Sequence, residues 1–229
     1  EGKLTIFEGG TRVPLIVRYP GRIEAGERDK FNMVSAVDLA ATLLELAGLD
    51  VPETMAGRSF VPLLEGDDQD GRDYVIGYYY RNLRQTVLYP EFTVQMRDWV
   101  YIYNPWVDGV TEVHNSDYTG SPTLLAMWDA AETVPSIKER TEFHKYRIRE
   151  ELYNVRQDPH SYINVAMAPE NRERIAEMQA ILVNWMEETD HPALDLMKDP
   201  HNEKLIAEYM QWERENAVKQ VEEVKRGKR

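Results

Sequence analysis

The 229-residue sequence contains no cysteine and no apolar run long enough to cross a membrane. The missing cysteine excludes disulfide bonds and thiolate metal sites within the chain. A membrane-spanning helix needs about 20 mostly apolar residues in succession, so no spanning segment is predicted. The first residues include neither a methionine nor the basic and apolar stretches of a signal peptide, which is typical of a sequence cut from a longer one.

Basic residues are few, because 27 Lys and Arg oppose 40 Asp and Glu and give a formal net charge of −13. This balance disfavours nucleic acids and anionic membranes as partners. A small anionic substrate remains compatible with it, since a local cluster of Arg and Lys can bind an anion within an acidic protein. The 42% share of hydrophobic residues indicates a globular chain, long enough for one ordinary domain or two small ones.

The first part of the chain alternates β-prone runs with a turn and then continues into a helix. Residues 4–7 and 13–19 are predicted as strands, the second largely buried, with a tight connection between them. The helix begins after Ser35, a good N-cap supported by Asp38, and Gly48 ends it. Its apolar face consists of Val37, Leu39, Ala40, Leu43, Leu44 and Leu46.

The middle of the chain is rich in aromatic and β-branched residues, which favour strands. A polar segment at 67–73 predicts a boundary between two subdomains, and 105–125 is predicted as a long loop. A small antiparallel sheet is predicted from the strands 74–80, 93–96 and 99–103, with a hairpin turn at Arg97 and Asp98, and 151–155 is predicted as another short strand.

Two helices are predicted near the end of the chain. The first begins at Pro169, where the missing N–H of proline costs nothing, and it packs one apolar face on the sheet. The second, 201–229, is charged and amphipathic, with Trp212 on it. Its acidic residues form a solvated face, and a second interpretation is a contact in a homo-oligomer through Trp212 and its neighbours.

The most informative segment is 2–14, which has the sequence GKLTIFEGGTRVP. Taken alone, Lys3 is most simply a solvated surface charge, the glycine pair an ordinary turn, and Arg12 an ion-pair partner. The segment resembles a string that recurs in sulfatases, Lys-x-x-x-aromatic-Glu-Gly-Gly-x-Arg-Val-Pro. Further family landmarks follow in the same order: YPG at 19–21, VSAVDL at 34–39, TLLELAG at 42–48, GRSF at 57–60, PLL at 62–64, ELYN at 151–154 and DPH at 158–160.

On this resemblance the chain is identified as the C-terminal portion of a sulfatase. The resemblance implies an α/β protein, the C-terminal part of an alkaline-phosphatase-like fold with a small antiparallel sheet and a packed helix. We expect residues 1–66 to end the main α/β domain, 67–192 to form a C-terminal subdomain with the sheet and the helix, and 193–229 to form a charged helical tail.

The same resemblance assigns Lys3 as the lysine that binds the sulfate oxygens. A preplaced ammonium group stabilises the negative charge that spreads over a transferring sulfuryl group. Glu8 and Arg12 are expected either to support the site from behind or to be purely structural. Gly9 and Gly10 are expected to serve the backbone only.

The cofactors of the family have no counterpart in this sequence. Sulfatases use a formylglycine made from a Cys/Ser-x-Pro/Ala-x-Arg motif, and no such motif occurs here. Their divalent metal, usually calcium, is held by carboxylate and amide oxygens, and the family places those ligands before the lysine. We therefore expect the nucleophile, the metal ligands and an export signal for a periplasmic or secreted location to precede Glu1.

The second half resembles the heparan N-sulfatase (sulfamidase) branch, which cleaves the N–S bond of N-sulfoglucosamine. The similar stretches are 94–97, 101–104, 146–153 and 185–192. If the substrate is a sulfated sugar, the residues expected to line its pocket are Tyr80, Arg81, Asn82 and Arg97. A tyrosine at position 80 also suits simple packing in the sheet.

Two alternatives remain open at this stage. One is a phosphodiesterase or phosphonate hydrolase of the same superfamily, which would share the metal and the fold. The other is a non-catalytic domain with a binding or assembly role. The nucleophile upstream of Glu1 would separate the first alternative from a sulfatase, and absence of turnover would support the second.

Overall fold

The computed structural model describes residues 5–79, 89–113 and 121–227. The strands are β1 Tyr74–Tyr79, β2 Glu91–Met96, β3 Trp99–Tyr103 and β4 Glu150–Asn154. The helices are, in chain order, α1 Glu8–Thr11, α2 Asp38–Leu46, α3 Val61–Glu65, α4 Pro122–Ala131, α5 Pro135–Tyr146, α6 Arg172–Glu188, α7 Leu194–Lys198 and α8 Glu203–Lys225.

The four strands form one antiparallel sheet in the order β1-β2-β3-β4. This confirms the sheet and the hairpin turn predicted from the sequence. Because side chains alternate between the two faces of a sheet, the register fixes which residues share a face. One face carries the row Ile76, Val94, Tyr101 and Leu152, and the opposite face carries the row Val75, Gln95, Val100 and Tyr153.

Helix α6 covers the first of these faces, as its apolar spacing predicted. A 3₁₀ turn at Pro169–Asn171 leads into it. Met178, Leu182 and Met186 are fully buried against the sheet in the largest apolar cluster of the described residues. Burying side chains of this size stabilises the fold by about 1.5–3 kcal/mol each.

His191 follows α6 and lies half-buried beside the rings of Tyr78, Phe92 and Trp185. Its Nδ1 accepts a hydrogen bond from the backbone N–H of Ala193 at 3.1 Å. Burial lowers the pKa of His191 below its usual value of 6.5. The neutral imidazole is therefore the form that suits the folded state.

The free energy of unfolding is expected to fall as the pH drops below about 6.5, because the unfolded chain then binds a proton that the folded chain resists. The contribution of His191 is complete above that pH. The variant His191→Asn, which keeps a hydrogen-bond acceptor and does not titrate, is expected to flatten the decline. Urea unfolding between pH 5 and 7.5 measures both, and an equal pH dependence in the variant would contradict this assignment.

The N-terminal strands predicted at 4–7 and 13–19 are wrong as far as the described residues show. Residues 5–7 are irregular, and the connection that follows them is one helical turn, α1. Residues 12–19 have no regular structure, and Val13 and Ile16 are 75% and 90% exposed. An apolar extended segment becomes a strand only when another strand pairs with it, and among the described residues none does.

Helix α2 is confirmed, but its apolar face does not lie inward. Asp38, Ala41 and Thr42 are its buried residues, whereas Val37, Leu39 and Leu43 are exposed. The predicted capping contact forms in part, since the Asp38 carboxylate accepts the Ser35 N–H at 2.9 Å. The left-handed φ of +72° at Gly48 ends the helix as expected.

A buried ion pair connects α2 to the segment before β1. Arg72 Nη1 donates to Asp38 Oδ2 at 2.7 Å, and both side chains are almost wholly buried. Arg72 also donates to the carbonyl groups of Arg58 and Ser59. These bonds hold the segment 67–73 at Arg72. The division of the protein into two subdomains at this segment stays a prediction.

Sequence patterns did not predict α3, α4, α5 and α7. The predicted loop at 105–125 is irregular through residue 113, and α4 begins inside its range at Pro122. The last helix, α8, is confirmed. Trp212 on it is 42% exposed and stacks on Tyr209, and the oligomer contact expected there stays a prediction. Among the described helices none is both long and apolar enough to cross a bilayer.

Candidate functional site

The segment that begins at residue 5 packs on the sheet face opposite α6. Ile6 and Phe7 are buried there against Val100, Ile102 and Tyr153 in a second apolar cluster. The Phe7 ring lies 5.7 Å from the Tyr153 ring, centroid to centroid. Two adjacent apolar side chains thus anchor the sulfatase-like motif just after Lys3.

Hydrogen bonds from one side chain hold the same segment at both ends. Gln95, buried in β2, donates from Nε2 to the Ile6 carbonyl at 3.1 Å and to the Thr11 hydroxyl at 2.7 Å. The Thr11 hydroxyl can donate in turn to the Phe7 carbonyl at 3.1 Å. These bonds satisfy the buried amide N–H groups of Gln95 within the N-terminal segment.

Four residues of the motif were predicted to be structural or supporting. Glu8, Gly9 and Gly10 lie in helix α1, and the guanidinium of Arg12 pairs with the Glu8 carboxylate one helical turn back. The Arg12 side chain is otherwise exposed. The pair is an exposed one of the kind that contributes little stability, and the roles assigned to these four residues stay predictions.

A buried ionic cluster lies under Phe7. The guanidinium of Arg147, at the end of α5, is 4.5 Å from the Phe7 ring centroid and donates to Glu151 Oε1 at 2.7 Å. Asn104 also donates to Oε1 at 2.8 Å, and the Tyr153 hydroxyl donates to Oε2 at 2.5 Å. Glu151 is 0% exposed, so its charge is balanced entirely within the protein.

This cluster is a structural one rather than a source of acid or base. Burial, and next the charge of Glu151, raise the pKa of Tyr153 far above its usual range, so its hydroxyl stays protonated and donates. Neither Gln95 nor Arg147 was predicted to belong to this region. The four-residue spacing from Arg147 to Glu151 gave no signal for the ion pair, because Arg147 follows α5 and Glu151 lies in β4, so no helix holds both.

Of the residues expected to line a sugar pocket, the structure describes one. Arg97 is exposed in the turn between β2 and β3, with its guanidinium 4.6 Å from the Phe31 ring centroid. It follows the last residue of β2, two positions after Gln95. Lys3, Tyr80, Arg81 and Asn82 lie outside the described residues, and their roles stay predictions.

The described residues do not suit the metal of the family. Within 5–79, 89–113 and 121–227, no three His, Asp or Glu side chains come together in an arrangement that could hold an ion. No formylglycine precursor motif occurs in the sequence. The described residues therefore offer no metal site, and the sequence offers no precursor of the formylglycine.

Comparison with known proteins gives a consistent family. The family model for the C-terminal region of N-sulphoglucosamine sulphohydrolase matches residues 2–122. An ulvan-active sulfatase of Formosa agariphila is 28% identical over 187 residues, covering 81% of this chain and 35% of that protein. Human N-sulphoglucosamine sulphohydrolase is 26% identical over 204 residues, covering 84% of this chain and 40% of that protein.

Solved structures agree on the fold. A candidate sulfatase from Bacteroides thetaiotaomicron superposes with a TM-score of 0.58 at 22% identity, over 85% of this chain and 33% of that one. A protein solved with its substrate, D-glucosamine-2-N,6-O-disulfate, superposes with a TM-score of 0.52 at 22% identity, over 80% of this chain and 30% of that one.

The chain spans 30% to 35% of the length of the first three curated relatives that it matches. Its matched region nevertheless contains the lysine motif, the helix α2 and the first three strands of the sheet. The chain belongs to the N-sulphoglucosamine sulphohydrolase C-terminal family, and its fold is that of the C-terminal part of a sulfatase.

Proposed function

We propose that the complete protein hydrolyses a sulfate ester or sulfamate on a sugar, and that this chain supplies the sulfate-binding lysine, Lys3. The observation that carries the proposal is the family match, which includes the whole lysine motif. The geometry supports it, because the residues after Lys3 are anchored on the sheet by packing and by Gln95. An anchored backbone is what a charge needs if it is to be preplaced for a transition state.

The reaction adds water across the bond to sulfur. A sulfate ester gives an alcohol and a sulfamate gives an amine, and both release inorganic sulfate. The negative charge on the sulfuryl oxygens is what the ammonium group of Lys3 would stabilise. In a sulfatase, a calcium ion supplies Lewis acidity and a formylglycine supplies the nucleophile. The calcium ligands and the residue that is converted to formylglycine would lie outside this chain.

N-sulfoglucosamine is the first substrate to test, since both the family model and a relative at 26% identity carry the name of the enzyme that hydrolyses it. Arg97 would lie at the sugar end of the pocket, where its exposed guanidinium at the β2–β3 turn could bind a second anionic group. Tyr80, Arg81 and Asn82 are proposed for the same pocket. We also propose that the bond hydrolysed is the N–S bond of a sulfamate rather than the O–S bond of a sulfate ester.

The test measures, for the complete protein with calcium present, the release of inorganic sulfate from sulfated substrates and the release of the alcohol from a phosphate diester. The panel contains N-sulfoglucosamine, glucosamine 6-sulfate and ulvan, with a phosphate diester as the contrasting substrate. Turnover of a sulfated sugar is the expected result. Faster turnover of the phosphate diester would favour the phosphodiesterase alternative, and no turnover of any substrate would favour a binding or assembly domain.

A further inference from the structure

Gln95 is an unusual residue for its position in the sheet. It is almost wholly buried, and its neighbours across the strands on the same face are Val75 and Val100. A buried amide without hydrogen bonds costs roughly 1–3 kcal/mol, so an apolar residue would serve this position better if only packing mattered. The amide must therefore be explained by what it binds.

Both donated bonds of Gln95 go to a segment that is 84 to 89 residues away in sequence. One reaches the carbonyl of Ile6, a backbone group, and the other reaches the Thr11 hydroxyl. The contacts fall on either side of Phe7. Apolar packing of Ile6 and Phe7 fixes how deep the segment sits, whereas directional hydrogen bonds fix its rotation and its position along the sheet.

The chain after this segment adds little support of its own in the described part of the protein. Residues 12–19 have no regular structure and are exposed. On the other side only two residues separate Lys3 from Ile6. The sequence therefore places Lys3 three positions before the residue whose backbone carbonyl Gln95 binds, and two residues span at most about 7 Å.

We propose that Gln95 is a positioning residue for Lys3, acting through its hydrogen bonds to Ile6 and Thr11. The inference rests on the proposed function, because it gives Gln95 a purpose only if Lys3 binds the sulfuryl group. Gln95 itself does not touch the substrate. A misplacement of about 1 Å in a charged group at a reacting centre is enough to lower turnover strongly, so the hydrogen bonds of one buried amide can matter to catalysis.

The experiment compares two glutamines on opposite faces of the same sheet in the complete protein. Gln95→Met removes the amide that holds the N-terminal segment. The matched control is Gln179→Met on α6, which removes an amide that donates to Tyr101 and Glu150 on the far side. Both variants lose a half-buried or buried amide, so both are expected to lower stability, and only the first is expected to affect the site.

The expected result is a decrease of about tenfold in kcat/KM on the sulfated sugar for Gln95→Met, with a weaker competitive inhibition by inorganic sulfate. Gln179→Met is expected to stay within about twofold of the wild type once unfolded protein is excluded. Thr11→Val is a second variant that removes one of the two bonds at an exposed residue, so it is expected to fold and to show a smaller loss in the same direction.

A double-mutant cycle with Lys3→Ala separates positioning from general damage. If Gln95 acts through Lys3, adding Gln95→Met to Lys3→Ala causes little further loss. Losses that multiply, or a Gln95→Met variant with the same kcat/KM as Gln179→Met, would overturn the inference and leave the proposed function standing. No sulfate release by the wild type, or full activity in Lys3→Ala, would instead overturn the proposed function and this inference with it.

Discussion

The variant Lys3→Ala of the complete protein is expected to lose about 10²–10³-fold in kcat/KM on a sulfated sugar. The physical reason is electrostatic, because a transferring sulfuryl group carries charge that a fixed ammonium group stabilises best in a site shielded from water. Removing one preplaced donor of this kind typically costs about 2–4 kcal/mol of transition-state stabilisation. The measurement is steady-state sulfate release, with kcat and KM determined separately.

Two further lysine variants test whether the loss of activity is specific to the Lys3 ammonium group. Lys3→Arg keeps the charge with a different shape, and it is expected to retain part of the activity, since an arginine does not place its charge where a lysine does. Lys30→Ala removes an equal charge from an exposed loop and is expected to change kcat/KM by less than about twofold. Equal effects of Lys3→Ala and Lys30→Ala would contradict a specific role for Lys3.

The sheet and its packed helix were predictable because their signals are local. Aromatic and β-branched runs indicated the strands, and the hairpin at Arg97 and Asp98 needed two polar residues between two such runs. The face of α6 was predictable for the same reason, since its apolar residues recur at helical spacing and bury one side. Patterns of this kind report burial on a face without needing to know which element covers it.

The N-terminal errors have one physical origin. Val13 to Tyr19 is apolar and β-prone, and α2 has exposed Leu39 and Leu43. Propensity and apolar pattern describe what a segment can bury, but a strand and a buried helix face form only where a partner is present. We expect that partner to be the rest of the main α/β domain, since the match to this chain covers only 35% of the ulvan-active sulfatase.

The residues of the candidate site fall into two groups: those that belong to a contiguous motif and those that only the fold brings next to it. Lys3, Glu8, Gly9, Gly10 and Arg12 were found through a contiguous resemblance. Gln95 and Arg147 were not, because their contacts with the motif join positions that are 84 or more residues apart and leave no local spacing to detect. Residues of this kind become visible only when burial and hydrogen bonds are known.

The buried pair of Arg147 and Glu151 gives the largest effect on stability. Arg147→Met is expected to lower the free energy of unfolding by about 3–5 kcal/mol, because it leaves a fully buried carboxylate without its cation. The bonds from Asn104 and Tyr153 remain, but they are neutral donors and cannot balance the charge. The contact of the guanidinium with the Phe7 ring is lost as well. Urea unfolding followed by tryptophan fluorescence measures the change.

A control pair with the same spacing lies on α5. Lys138 and Glu142 are also four residues apart, but their nitrogen and oxygen are 3.8 Å apart and their side chains are 63% and 57% exposed. Lys138→Met is expected to cost about 0.5 kcal/mol or less, since water screens the charges and solvates the remaining one. The contrast between the two variants compares an exposed ion pair on one helix with a buried pair that joins the end of α5 to β4.

The double variant Arg147→Met with Glu151→Gln tests whether the cost comes from the unpaired charge. Glutamine keeps the shape of Glu151 and leaves no buried charge. Its amide oxygen can accept the hydrogen bond from Asn104, and its NH2 group can donate to the Tyr153 hydroxyl, which then accepts instead of donating. We expect the double variant to recover at least half of the stability that Arg147→Met loses, since removing both charges of a buried pair is often close to neutral. A double variant no more stable than Arg147→Met would mean that the loss comes from the contacts of the guanidinium with Phe7 and Phe143 rather than from the unpaired charge of Glu151.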